Sequence, residues 1–186
     1  MDGESDDMEF HTALAGARRN NQGSWTLLYR QFAPTILGYL RSQRVPSAED
    51  LLGEVWLQVV RDLPRFSGGP AQFAGWLLRI AHNRLVDSRR ADSRRPDLAD
   101  IETPDVADEN ADVEGALLRS DELAGLEKLL APLPEVQRSV IYLRFVLDLR
   151  QQDVAQVLGI STPAVKMLQM RASRTLGRQL GREGGT

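Results

Sequence analysis

Residues 151–176 read QQDVAQVLGISTPAVKMLQMRASRTL, and their spacing predicts a helix-turn-helix. Ala155, Gly159 and Val165 stand where two short helices must meet: a small residue for close approach, a glycine for a tight turn, an aliphatic for the wedge. Val154, Leu158 and Ile160 complete that wedge. Ser161 or Thr162 is positioned to cap the second helix, and Pro163 suits its first turn. The second helix then presents Lys166, Gln169, Arg171 and Arg174, a basic and hydrogen-bonding set suited to phosphates and base edges. An ordinary helical hairpin with a solvated basic face is the plainer alternative.

Outside this stretch the charge is sharply partitioned. The chain of 186 residues carries a formal net charge of −3. Counted in blocks, residues 1–64 hold −3, 65–95 hold +5, 96–131 hold −9 and 132–186 hold +4. Two basic segments flanking an acidic one fit a chain that touches DNA twice. Basic residues are almost all Arg, which favours bidentate phosphate and guanine contacts; a codon bias toward Arg explains the same composition. Cys is absent, which excludes disulfides, thiol catalysis and Cys-ligated metal. His11 and His82 are the only histidines, with no metal-ligand spacing and no Gly-rich phosphate loop, so neither a cofactor, a metal nor an enzymatic site is expected. No run of about 18 apolar residues exists, so no membrane insertion is expected. The acidic start MDGESDDMEF lacks the form of a signal peptide, and a cytoplasmic location is expected.

Taken in order, residues 1–7 are acidic and expected to be disordered, as is the tail 181–186. A short helix is predicted over 8–20. Another is predicted from an N-cap at Ser24, with Trp25, Leu28, Phe32, Ile36, Tyr39 and Leu40 as core and a kink or break at Pro34. Ser47 and Asp50 resemble a capping box opening a helix with Leu51, Leu52, Val55, Val59 and Leu63 on one side. Glu49, Asp50, Glu54 and Gln58 line another side. After the loop FSGGP a long helix has Phe73, Trp76, Leu77, Ile80, Ala81 and Leu85 as its apolar side. Arg79, Asn83, Asp87, Arg90 and Arg94 step along a second stripe, with Arg84 beside it. An aromatic and Gly loop feeding an Arg/Asn stripe suits single-stranded DNA, whose unstacked bases need a pocket. Residues 96–114 contain eight acidic residues and no basic one, and read as a flexible linker. Amphipathic helices are predicted over 117–130 and, after APLP, through Val136, Val140, Leu143 and Leu147. Strand signals are absent.

Three runs together resemble a known family. SAEDLLGEVWLQVVRDLPRF is similar to the polymerase-binding helix of bacterial sigma-70 family factors, with Asp50 and Glu54 at its acidic positions, Gly53 in place of Gln and Trp56 in place of Phe. FAGWLLRIAHNRLVDSRR resembles the run that recognises and opens the −10 element. LPEVQRSVIYLRFVLDLRQQDVAQVLGIS resembles the entry to the −35-reading helix-turn-helix. The pattern is that of the small extracytoplasmic-function (ECF) group, over about 14–95 and 117–180. AVKMLQMRASR departs from it: Met167 and Leu168 replace a polar and a basic residue, and Ser173 replaces an Arg. The −35 sequence and its salt dependence are therefore open.

The resemblance implies an all-α protein of two small helical domains. Sigma region 2 would occupy 8–95 and the region 4 helix-turn-helix 117–180, joined by an acidic linker at 96–116. It implies core RNA polymerase, promoter DNA and an anti-sigma factor as partners. Polymerase would meet Asp50, Leu51, Glu54, Val55 and Gln58, with Leu51 and Val55 mostly supporting the fold. The −10 element would meet Phe66, Trp76, Arg79, Asn83, Arg84, Asp87, Arg90 and Arg94. Asn83 is the preferred base reader and Phe66 the more exposed aromatic; Trp76 reads more readily as core, and His82 as solvated or facing DNA. The −35 element would meet Ser161, Thr162, Lys166, Gln169, Met170, Arg171 and Arg174. A helix-turn-helix regulator that is no polymerase subunit is the competing expectation; it leaves the second Arg/Asn stripe unexplained.

Overall fold

The computed structural model describes residues 2–92 and 125–183, and every regular element among them is helical. Four helices build the first domain: α1 (Asp2–Arg18), α2 (Gln22–Ser42), α3 (Ala48–Asp62) and α4 (Pro70–Asp92). A 3-10 turn, Leu63–Arg65, closes α3. Each helix packs on the next, and α2 also packs on α4. At the centre Phe73 meets Phe10 at 5.4 Å and Phe32 at 5.0 Å between ring centroids, edge or tilted arrangements that aromatic quadrupoles favour.

The second domain contains a helical segment at 125–130, then α5 (Glu135–Ile141), a π-helical turn Tyr142–Val146, α6 (Gln151–Leu158) and α7 (Thr162–Glu183). Leu130, Val140, Leu143, Val154, Val165 and Ala172 are fully buried and form its core. The linker 96–116, most of the helix expected over 117–130 and the last residues of the tail lie outside the described residues.

Several local expectations are corrected. The first helix begins at Asp2, so the acidic start is helical from there rather than disordered. α2 is capped by Asn21, whose side chain accepts from the Ser24 N–H at 2.9 Å; Ser24 lies inside the helix. Pro34 does not break α2, which runs on to Ser42. Pro34 and Arg30 both face solvent, where water can satisfy the carbonyl that loses its partner. Ser47 precedes α3 without a side-chain capping bond. Val136 is exposed, so the apolar face of α5 is carried by Val140 and the π turn by Leu143.

The two domains pack together, with α4 against α6 and α2 against the π turn. A polar network lies in this seam. The Tyr39 hydroxyl is shared between His82 Nδ1 at 2.9 Å and Ser139 Oγ at 3.3 Å. Ser139 Oγ donates to Gln43 Oε1 at 3.0 Å, and Arg138 donates to the carbonyls of Gln43 and Leu133 at 3.3 and 3.0 Å. Arg89 reaches across to the Gln43 carbonyl at 2.6 Å and to Glu135 at 2.9 Å. Gly38 allows the close approach: a Cβ there would stand 2.6 Å from the Tyr142 hydroxyl. Burial pushes that Tyr142 hydroxyl up to about 12 and the Tyr39 hydroxyl higher still, so both stay protonated donors.

Candidate nucleic-acid interface

Helix periodicity sorts α3 into two faces. Leu51, Leu52, Val55 and Val59 face the core, while Asp50, Glu54, Leu57 and Arg61 form one exposed stripe at spacings of four, three and four. Leu51 and Val55 are thus corrected as partner-contacting residues: at 5% and 0% exposure they cannot touch a partner while the domain is folded. Gln58 is half-buried and accepts from Arg84 Nε at 2.9 Å, while its own amide donates to Asp62 at 3.3 Å. These bonds tie α3 to α4 and occupy two side chains that the sequence assigned to separate partners. Leu57, at 63% exposure, was missed; an apolar residue off the core stripe of α3 was its sequence signal.

Along α4, Arg79, Asn83, Asp87 and Arg90 are exposed on one face. Asp87 and Arg90 pair at 3.8 Å, and Arg94 lies outside the described residues. The loop feeding α4 is held at both ends. An Arg18 guanidinium donates to the Phe66 carbonyl, and the Gly69 N–H donates to Gln72 Oε1 at 3.1 Å. Phe66 is not the exposed aromatic expected. The 3-10 turn folds it back so that it is 9% exposed, stacked on Trp76 at 5.0 Å and 30° and edge-on to Phe73 at 5.1 Å. Trp76 is half-buried, and its ring has the greater access to solvent. His82 is corrected as well: it is half-buried in the seam, where burial and then the Arg89 charge hold it below its ordinary value of 6.5.

In the second domain Gly159 ends α6 in the left-handed conformation, φ 65°, which only glycine adopts without steric cost. The Ile160 N–H returns to the Ala155 carbonyl at 3.1 Å, and Ser161 Oγ accepts from the Ala164 N–H at 3.3 Å, capping α7. Val165 and Ala172 face the core, so Lys166, Met167, Met170, Arg171, Ser173 and Arg174 are exposed, with Thr162 half-buried. Gln169 is half-buried and accepts from Gln151 at 3.4 Å, joining the two helices of the motif.

Residues 28–95 match the family model for Sigma-70 region 2, and residues 123–176 match that for Sigma-70, region 4. The chain is 35% identical to the ECF RNA polymerase sigma factor ShbA of Streptomyces griseus, over 75% of this chain and 78% of that one. This protein belongs to the ECF group of sigma-70 family sigma factors. As a sigma factor it is a regulatory DNA-binding protein of transcription initiation rather than an enzyme. Its fold is similar to that of CnrH, solved in complex with the cytosolic domain of CnrY: 25% identity, TM-score 0.66, covering 94% of this chain and 98% of that one. RpoE of Bartonella quintana, solved with the anti-sigma factor NepR, shares the fold at 19% identity and a TM-score of 0.64, over 84% of this chain and 96% of that one. No helix among the described residues is long and apolar enough to cross a membrane.

Proposed function

We propose that this sigma factor docks on core RNA polymerase through the outer face of α3 and directs it to promoters read at two places. Asp50 and Glu54 would meet basic groups of the polymerase, and Leu57 would supply the apolar contact between them. On α4, Asn83 would read a flipped non-template base of the −10 element, since its amide offers donor and acceptor together. Trp76 would stack beside it, and Arg79 and Arg90 would hold phosphates. Arg84 and Gln58 would position α3 and α4 relative to each other, and Phe66 would support Trp76. On α7, Lys166, Met170, Arg171 and Arg174 would enter the major groove at the −35 element. Met170, at 49% exposure, suits a thymine methyl group. Ser161 and Thr162 would meet the backbone at the helix N-terminus, and Gln169 would set the angle of α7 through Gln151. An anti-sigma factor is a further proposed partner, since RpoE of Bartonella quintana, which shares the fold, was solved in complex with the anti-sigma factor NepR.

The observation that supports this reading best is that two exposed Arg-bearing helix faces lie on different domains, while the helix preceding the first carries an acidic and apolar stripe. A duplex-binding regulator would need only the second. Run-off transcription with purified core polymerase on fragmented genomic DNA tests it. Discrete new transcripts sharing two upstream elements are expected; tight duplex binding by the chain alone, without new transcripts, would favour the regulator.

A further inference from the structure

Between the domains lies a cavity of about 360 Å³, lined by Gln43, Arg44, Ser88 and Arg89 from the first domain and Glu135 and Arg138 from the second. It serves neither DNA-facing helix stripe. Three guanidiniums line it against a single carboxylate, and that carboxylate is engaged by Arg89 at 2.9 Å. Arg138 is only 7% exposed, and its Nε–H is buried without a partner. Burial of this kind is costly for a charged donor. Burial, then the Arg44 and Arg89 charges, lowers the Arg138 guanidinium below its ordinary value, and Glu135 opposes them only in part. Arg44 sits at φ 59°, a conformation unfavourable for a side chain of its size, and its side chain makes no hydrogen bond or ion pair with the described residues. The Arg44 guanidinium, which has no partner among the described residues, thus lines the same cavity as the Arg89 and Arg138 guanidiniums.

We propose that this cavity is a binding site for a small molecule carrying a phosphate or pyrophosphate group, and that its occupant holds the two domains together. The two excess positive charges match a phosphate dianion, which carries about −1.5 to −2 at neutral pH. Planar guanidinium forks and the Ser88 hydroxyl offer the donors that such oxygens accept. The volume is at the small end of the range for ligand sites, roughly 300–1,000 Å³. Because α4 lines one side and α5 the other, the ligand contacts both domains at once.

The test uses the full-length chain and does not depend on transcription. Because the chain has no cysteine, a Gln31→Cys, Gln156→Cys pair can be labelled for energy transfer between domains, while arginine Nε–H resonances report on the site. Orthophosphate, pyrophosphate and adenosine diphosphate are titrated, with sulfate at matched ionic strength as the control. Saturable movement of the Arg138 resonance, accompanied by higher transfer efficiency, is expected for at least one phosphate probe; the probe that saturates first distinguishes a bare phosphate from one carried on a nucleoside. Arg44→Asn, chosen because Asn tolerates a positive φ, should weaken the response about tenfold or more. Ser88→Glu, which places a carboxylate in the site, should abolish it. Movement that does not saturate, an equal response to sulfate, or an unchanged response in both variants once their helical circular dichroism matches the parent would overturn the proposal.

Discussion

Asn83, Arg171 and Arg174 do different kinds of work, and their substitutions separate the kinds. Asn83→Ala should remove about 1–3 kcal/mol of discrimination at one −10 position and leave others unchanged; transcription from promoters randomised at each position measures this. Arg174→Ala, a phosphate contact in the proposed reading, should weaken all −35 sequences alike and flatten the salt dependence by about one unit of slope. If Arg171 reads a base, its loss changes specificity with the slope nearly intact. His82 carries a separate prediction. Its folded value lies below 6.5, so the unfolded chain binds more protons below that pH. The stability it contributes is complete above 6.5 and is lost as pH falls toward the folded value. Urea midpoints taken from about pH 7.5 to about pH 5.5 should fall more steeply for the parent than for His82→Gln. None of this was legible at His82 itself. A histidine beside Asn83 on an Arg-rich helix reads as solvated, and its Tyr39 partner is 43 positions away.

At the level of elements, periodicity was a good guide and capping a poor one. The apolar spacings of α2, α3 and α4 predicted most of the core, because burial repeats with the helix, but Trp25 and Trp76 are only half-buried and Trp56 and Leu78 are buried as well. Caps depend on single hydrogen bonds, so Asn21 displaced Ser24 and Ser47 was left without a side-chain bond. Phe66 and Trp76 exchanged roles because a 3-10 turn re-aims one side chain without leaving a periodic trace. The helix-turn-helix was the most legible element, since small residue, glycine, aliphatic and cap coincide. Gly159→Ala should therefore destabilise the second domain by roughly 1–3 kcal/mol through left-handed strain. A domain of this size should then melt several degrees lower, which calorimetry measures. On α3, Glu54→Arg and Leu57→Asp should each abolish core-polymerase binding with circular dichroism unchanged, since both side chains are exposed. Undiminished binding by both would remove α3 as the docking surface.

At the scale of the whole molecule, the packed arrangement and the proposed promoter contacts are geometrically incompatible. A compact chain of this length has a radius of gyration of about 16 Å and spans about 40 Å. Elements centred near −10 and −35 lie about 85 Å apart along duplex DNA. In the proposed reading the domains would have to separate for one chain to reach both, and the seam of Tyr39, Gln43, Arg138 and Ser139 would open when polymerase binds. That seam was not legible in the sequence: Tyr39 read as core but no local spacing marks Gln43, Arg138 or Ser139 as buried, and the partners lie as many as 100 positions apart. The charge partition conveyed that two basic segments exist, but not that they belong to domains packed together. Permanganate footprinting on a promoter identified by run-off is the most direct measurement of the central claim. With core polymerase plus this chain, reactive thymines should appear in the −10 element together with protection of the −35 element, and neither component alone should produce them. Protection of duplex DNA by the chain alone, with no reactive thymines when polymerase is added, would contradict it.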